Sequence, residues 1–496
     1  MHNQQFVESN DELVNFGSPG VQGSKADKLV EACGVFGIFG EECQDVTRLT
    51  YYALYALQHR GQEAAGIAVA DGQGIKVHKG PGLVSDVFDR QIIASLKGKI
   101  AIGHVLYAKE GKTPSMNAEP LLCNYLHGSL AIAHNGCFTN AKELKSKLAG
   151  KGSVFQAGID SELLANLLAH YNGQGIVGAL QKAMQEIIGS YALVIMTDRE
   201  LIGVRDPYGN RPLCIGKLGD AYLLSSESCA FEVLGAELVR DVEPGEIVLI
   251  NEKGLHSFHC DNHVERALCV FEFIYFARPD SDIDRINVME ARRAMGRQLA
   301  KEKPVDVDLV IPVPDSGIAG GLGYAEGINC VFEMGLIKNR YIARTFIRPE
   351  QSEREIGVRL KLNPVTKLVK GKKVGIVDDS IVRGTTSKKI VQMLRNSGAK
   401  EVHMLITSPP VIAPCYYGID TSERNQLIAG QKSLEEIREY IGADSLSYLS
   451  LEGLFHALGQ RGGFCAACLN DQYPIDIPSD RKEEAKEEKK CRAQQD

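Results

Sequence analysis

The chain has 496 residues, 44% of them apolar and 24% charged, with 56 Lys and Arg against 63 Asp and Glu, a net charge of −7. At roughly 100–200 residues per domain, that length predicts two to four domains. The mildly acidic balance excludes bulk nucleic-acid binding, and no apolar run reaches the ~18 residues that would suggest a transmembrane helix. The remaining oddity is 13 cysteines. The count is odd, and the chain is far too long for a disulfide-stapled scaffold. A reduced, cytoplasmic protein is the expectation.

Residues 1–32 are polar, with Gly17-Ser-Pro-Gly20 among them, and predict a poorly packed leader. They have no basic start and no apolar stretch, so they do not read as a secretory signal. At Cys33 the pattern switches to Cys-Gly-Val-Phe-Gly-Ile-Phe-Gly, a short apolar strand broken by glycines. Further strands are predicted at Ala64–Ala70, Ala101–Tyr107, Ser129–His134, Tyr191–Thr197 and Glu246–Ile250, with helices at Thr47–His59 and Asp160–Tyr171. Strand pairs joined by polar turns, such as Met196–Arg205 around Thr197–Glu200, predict antiparallel sheets with helices outside.

The grammar changes after about residue 262. Val307–Pro312 is an apolar strand ending in Val313-Pro-Asp315-Ser316-Gly317. Lys373–Val377 is another, ending in Asp378-Asp379-Ser380, and it leads through Arg383-Gly384-Thr385-Thr386-Ser387 into a helix, Lys388–Asn396, closed by Gly398. Glu401–Thr407 is the next strand, so the segment predicts a parallel strand–helix–strand unit. Ser433-Leu-Glu-Glu436 is a capping box opening a helix that stops at Gly442. Arg481–Lys490 is a charged run expected to be solvated.

Two carboxylates at the end of a parallel strand, before a Gly/Thr/Ser turn into a helix, suit a phosphorylated sugar. The loop amides and hydroxyls can cradle a phosphate, and the carboxylates can hold ribose hydroxyls or Mg²⁺. Asp-Asp alone would read as a solvated turn. The full string Val374-Gly-Ile-Val-Asp-Asp-Ser-Ile-Val-Arg-Gly-Thr-Thr-Ser387 resembles the phosphoribosyl-pyrophosphate (PRPP) motif of type I phosphoribosyltransferases. That resemblance implies that Asp378 and Asp379 meet the ribose and Mg²⁺ and that Ser380 to Ser387, Arg383, Gly384, Thr385 and Thr386 included, bind the 5′-phosphate. It makes Asp315-Ser316-Gly317 the pyrophosphate loop, with Ser316 on Mg²⁺. Lys338, Arg344, Arg348, Arg354, Arg359 and Lys361 lie between these strands, and cations there suit a pyrophosphate leaving group. Basic loops of this kind close over substrate.

In the first half, Cys33-Gly-Val-Phe-Gly-Ile-Phe-Gly, Leu57-Gln-His-Arg-Gly-Gln-Glu63, His134-Asn-Gly136 and Asp160-Ser-Glu162 resemble the N-terminal-nucleophile glutamine amidotransferases. With the PRPP motif downstream, the chain resembles the glutamine PRPP amidotransferases from about residue 33 to 475. The implied fold is an αββα sandwich over 33–262, a phosphoribosyltransferase parallel-sheet domain over 263–475 and a charged tail over 476–496, an α+β unit followed by an α/β unit. Residues 1–32 become a propeptide, whose removal would leave Cys33 with a free α-amine to serve as base for its thiol. Asn135 and Gly136 become the oxyanion hole, and Asp160 the holder of the glutamine ammonium. The family string His-Val-Arg-Tyr-Ala-Thr reads His104-Val-Leu106-Tyr107-Ala-Lys109 here. Leu106 cannot replace a guanidinium against the glutamine carboxylate, so weak or absent glutamine use with surviving ammonia-dependent synthesis is expected.

One branch of the family carries a [4Fe–4S] cluster, and the matching positions are Cys269, Cys415, Cys465 and Cys468. Zinc on the same sulfurs is the competing reading. The resemblance further implies inhibition by purine nucleotides and a homotetramer. The expected reaction converts PRPP, glutamine and water to 5-phosphoribosylamine, pyrophosphate and glutamate. The competing expectations are a non-catalytic paralogue that binds PRPP or nucleotide, and a salvage phosphoribosyltransferase, which leaves the first 260 residues without a purpose.

Overall fold

The computed structural model describes residues 33–40, 45–107, 117–126, 128–260, 264–339, 362–419, 423–459 and 462–478. The first half holds strands β1 (Cys33–Phe39), β2 (Ala64–Ala70), β3 (Ile75–Pro81), β4 (Ile100–Leu106), β5 (Leu121–Tyr125), β6 (Gly128–Phe138), β7 (Gly189–Thr197), β8 (Leu201–Arg205), β9 (Cys214–Leu218), β10 (Ala221–Ser225), β11 (Glu237–Asp241), β12 (Glu246–Asn251) and β13 (Gly254–His259). They form a seven-stranded sheet, β11-β9-β10-β1-β4-β2-β3, and a six-stranded sheet, β13-β12-β8-β7-β6-β5. Neighbouring strands of the two sheets pair antiparallel, and β7 and β8 make the expected hairpin.

Period-two alternation explains the layering. Val35 and Phe39 on β1 join Ile102, Ala133, Val194, Leu224 and Val248 in the core between the sheets. Phe36 and Ile38 face the other way, onto Ala53, Leu54 and Leu57 at the end of the helix Val46–Ala56. On the far sheet, Ile132, Leu193 and Ile195 meet Leu164 and Leu167 of the helix Asp160–His170 and Leu180 of Gly175–Glu186. The expected αββα sandwich is therefore present. The strands and helices expected from the sequence end within a few residues of their expected positions, while β3, β5, β9 to β11 and the helix Gly175–Glu186 carried no expectation.

The second half contains a parallel sheet of Leu309–Pro312, Lys373–Asp378, Glu401–Ile406 and Ser445–Tyr448, in that order. One face packs on the helices Thr385–Asn396 and Leu434–Ile441, with Ile376, Ile390, Leu394, Met404 and Ile437 in one core. The other packs on Val288–Glu302 and Gly317–Ile328. Sequence reasoning left the helix at 317–328 unassigned, because glycines weaken helix propensity. Here they permit close approach. A Cβ on Gly323 would fall 2.0 Å from the Arg293 carbonyl oxygen, and one on Gly296 only 1.9 Å from that of Gly320. The capping box at Ser433 and the left-handed Gly442 stand as expected. Among the described residues no helix is long and apolar enough to cross a membrane.

Candidate functional sites

Cys33 is the first residue of β1, in register with Leu106 of β4. It is buried in a small cluster with Ala64, Leu106 and Ala118. A cavity of about 190 Å³ opens beside it, lined among others by His104, Leu106, Glu119, Gly136, Phe138 and Asp160. Leu106 thus places an apolar side chain in the pocket beside the thiol. Lys109 lies outside the described residues, as does the 1–32 leader.

Asn135 and Gly136 lie near the end of β6, the strand that borders this cavity. Asn135 is fully buried, and neither its amide nitrogen nor its amide oxygen has a partner among the described residues. A buried donor without a partner is costly, so the Asn135 amide is a polar group that the fold leaves unsatisfied, although Gly136 and not Asn135 is among the residues lining the cavity. Gly136 has φ +143°, and a Cβ there would meet the Ser190 carbonyl oxygen at 2.0 Å, so no other residue fits. Asp160 opens its helix and accepts the Phe138 N–H at 2.8 Å.

Arg60, on the turn after the first helix, ties this site to the second half. Its Nε donates to the Cys33 carbonyl at 3.1 Å, and its two Nη donate to Glu227 and to Glu272, the latter at 2.9 Å. All three side chains are fully buried. Against the opposing effect of burial, His59 and then Arg60 hold the Glu227 carboxyl well below the usual range. In the sequence Arg60 stands out only as part of the Leu57–Glu63 string. Glu272, 212 residues away, carried no local signal.

The PRPP-motif residues gather at the carboxyl ends of two adjacent parallel strands, with Pro312 in register with Val377. Asp378, Asp379 and Ser380 are all buried. Asp378 accepts the Asp379 N–H at 2.9 Å, and Asp379 accepts the Ser380 hydroxyl at 2.6 Å. Gly384 caps the helix Thr385–Asn396 at φ +77°, and no acidic side chain occupies that helix's first turn. Asp315 and Ser316 end the neighbouring loop, just before the helix Gly317–Ile328. Lys338 reaches back to Asp315, Nζ to Oδ2 2.8 Å. Arg383 donates to Gln426 at 3.1 Å. Arg344 and the cations that follow it lie outside the described residues.

The four candidate cluster cysteines converge on one place from three segments. Cys269 and Cys465 face each other in a short parallel ladder. The Cys468 carbonyl accepts the N–H groups of Ile412 and Ala413, at 2.9 and 3.1 Å, which brings up the segment carrying Cys415. Cys415 Sγ itself accepts the Tyr417 N–H at 3.3 Å. Burial pushes the Cys465 thiol up to about 12 and those of Cys269 and Cys468 well above their ordinary value, with neighbouring thiolates adding to the push. Among the described residues no three His, Cys, Asp or Glu side chains are close enough together to hold a single metal ion.

A family model described as a glutamine amidotransferase domain matches residues 110–233. An amidophosphoribosyltransferase from Bacillus subtilis is 50% identical over 458 residues, 91% of this chain and 96% of the relative. One from Archaeoglobus fulgidus is 48% identical, covering 90% and 99%. Among solved structures, the B. subtilis glutamine PRPP amidotransferase complexed with ADP and GMP superposes with a TM-score of 0.86 at 50% identity, covering 90% of this chain and 98% of that one. A structure described as the allosteric regulatory enzyme of purine biosynthesis gives 0.87 at 49% identity, covering 90% and 97%. With half of all positions shared along nearly its whole length and both sandwich and parallel sheet in place, the chain belongs to the amidophosphoribosyltransferase family.

Proposed function

We propose that the protein makes 5-phosphoribosylamine from PRPP and glutamine, the opening step of purine synthesis. The observation that supports this best is identity of about half, over about nine-tenths of the chain, with named amidophosphoribosyltransferases. The first half, about 33–262, cleaves the amide; the second, about 263–475, uses the ammonia. A non-catalytic binding paralogue is disfavoured, because the buried Asp378–Asp379 pair and both phosphate-facing loops are complete.

The mechanism follows from the residues. Release of residues 1–32 gives Cys33 its own α-amine as base, and the thiolate attacks the glutamine amide carbon. Asn135 and Gly136 stabilise the oxyanion, and Asp160 holds the substrate ammonium. The C–N bond then breaks to leave a Cys33 thioester, the Cys33 α-ammonium returning its proton to the departing ammonia, and water hydrolyses the thioester to glutamate and frees the thiol. Leu106 supplies no charge to the substrate carboxylate, so glutamine binds weakly and the thioester half-reaction is limited by KM. Ammonia then moves, shielded from water, to displace pyrophosphate from C1 of PRPP. Asp378 and Asp379 orient the ribose, the loop from Ser380 to Ser387 seats the 5′-phosphate on a helix N-terminus, and Asp315, Ser316 and Lys338 face the leaving group.

Buried carboxylates beside a hydroxyl are hard oxygen donors and fit Mg²⁺, which would be held by Asp378, Asp379 and Ser316. Bound there with the substrate, it would neutralise developing charge on pyrophosphate. The cysteine set fits a [4Fe–4S] cluster on Cys269, Cys415, Cys465 and Cys468 better than zinc. Each thiolate of such a cluster binds a different iron, so the sulfurs need not crowd around one ion. The cluster's contribution would be structural, tying the last segment to the second half. The homotetramer and the cytoplasmic location belong to the same reading. So does inhibition by purine nucleotides, in keeping with the ADP and GMP bound in the B. subtilis relative.

The test is PRPP-dependent pyrophosphate release by purified protein with glutamine or ammonium as donor. Both are expected to work, glutamine only at elevated concentration. No release with either donor would refute the function, and tight glutamine use would refute the role given to Leu106.

A further inference from the structure

Glu119 belongs to none of the motifs, yet its carboxyl is buried in the wall of the cavity beside Cys33. Its Oε2 accepts the His134 N–H at 2.7 Å. Its Oε1 is hydrogen-bonded to the Ser161 hydroxyl. His134 immediately precedes Asn135 and Gly136 on β6, and Ser161 immediately follows Asp160 on its helix. One carboxyl group therefore fastens the strand bearing the oxyanion residues to the helix bearing the ammonium-binding residue.

We propose that Glu119 is a positioning residue of the amide-cleaving pocket and acts as a neutral carboxylic acid that pins β6 to the helix Asp160–His170. The proposal rests on the amide-cleaving role assigned to this pocket above.

The surroundings supply the reason. From β4, His104 Nε2 lies 3.6 Å from Oε2 and donates instead to the His134 carbonyl at 3.1 Å. Burial pushes that imidazole down to about 3, so it brings no positive charge. From β3, Lys79 Nζ is held by the carbonyls of Ala118 and Pro120, at 2.6 and 3.2 Å. From the helix side, Asp160 is a second carboxylate. Cys33, Tyr107, His134 and Cys137 are the other ionisable groups of the wall among the described residues. Burial, reinforced by Asp160, pushes Glu119 up to about 8, against the opposing hydrogen bonds and Lys79. The acid form keeps both ties. One oxygen accepts from His134, and the hydroxyl can exchange donor and acceptor roles with Ser161. The ionised form instead adds an anion to a pocket that must admit the carboxylate of an amino acid.

The variants Glu119→Gln and Glu119→Ala decide it. Glutamine adopts the geometry of the neutral acid. Wild-type KM for glutamine is expected to rise toward tenfold per pH unit above about 8, while that of E119Q does not follow this rise. E119A loses glutamine use at every pH, and ammonia-dependent synthesis is unaffected in both. Stability gives a second readout that is independent of catalysis. A carboxyl raised from 4.5 to about 8 on folding favours the folded chain fully below pH 4.5, and that advantage is lost as pH rises toward 8. E119Q should therefore gain in Tm on the wild type across that window. Parallel KM profiles with a constant Tm gap would overturn the neutral acid, and wild-type glutamine kinetics in E119A would overturn the positioning role. If the wild type releases pyrophosphate only with ammonium, the amide-cleaving reading falls, and the Tm comparison alone decides the state of Glu119.

Discussion

The two ends of this molecule are built differently. The PRPP end is assembled from adjacent loops, each following its own parallel strand, and its residues run nearly consecutively from Asp378 to Ser387. The amide end draws Cys33, Leu106 and Gly136 from strands of both sheets, Asp160 from a helix and Glu119 from the segment before β5. A parallel sheet collects loops at one edge and so concentrates chemistry in short strings. A sandwich must instead bring side chains together through register. On the proposed reading, function at the first end depends on local loop conformation, and at the second on buried polar ties that hold distant strands in place.

Substitutions sharpen the contrast. Asp378→Asn removes a carboxylate common to both donor reactions, and should cost about 10³-fold in pyrophosphate release with glutamine and ammonium alike. Asn135→Ala should lower only the glutamine-dependent kcat, by about 10²–10³-fold, with the ammonium rate unchanged. Gly384→Ala forces a side chain into a left-handed cap, with a Cβ 3.1 Å from Ile428 and 3.3 Å from Tyr440. A loss of about 1–2 kcal/mol in denaturant unfolding and a raised KM for PRPP are expected. Lys338→Ala breaks a solvent-exposed pair with Asp315. It should change stability by less than about 1 kcal/mol, leaving KM for PRPP as the parameter that moves. Equal loss with both donors in Asn135→Ala would erase the distinction between the ends.

The same contrast explains what could be read from sequence. The parallel unit, its phosphate loop and the capping box were legible because strand, turn and cap signals are local. Strand β1 was legible through its Cys33-to-Gly40 string. Glu119 was not, because one Glu before a Pro reads as a turn. Its significance depends on His134 and Ser161, 15 and 42 residues away. Glu272 was invisible for the same reason, since its partner Arg60 lies 212 residues away. The Gly317–Ile328 helix was hidden by its glycines, of which Gly323 and Gly327 lie against Val288–Glu302.

The central claim is that one chain carries two separable chemistries, amide cleavage at Cys33 and ammonia transfer to PRPP at Asp378 and Asp379. The most direct measurement is pyrophosphate release by Cys33→Ala with each nitrogen donor. The account predicts loss of the glutamine-dependent rate by about 10³-fold or more, with the ammonium-dependent rate kept at the wild-type level. Retained glutamine-dependent synthesis, or equal loss with ammonium, would contradict it.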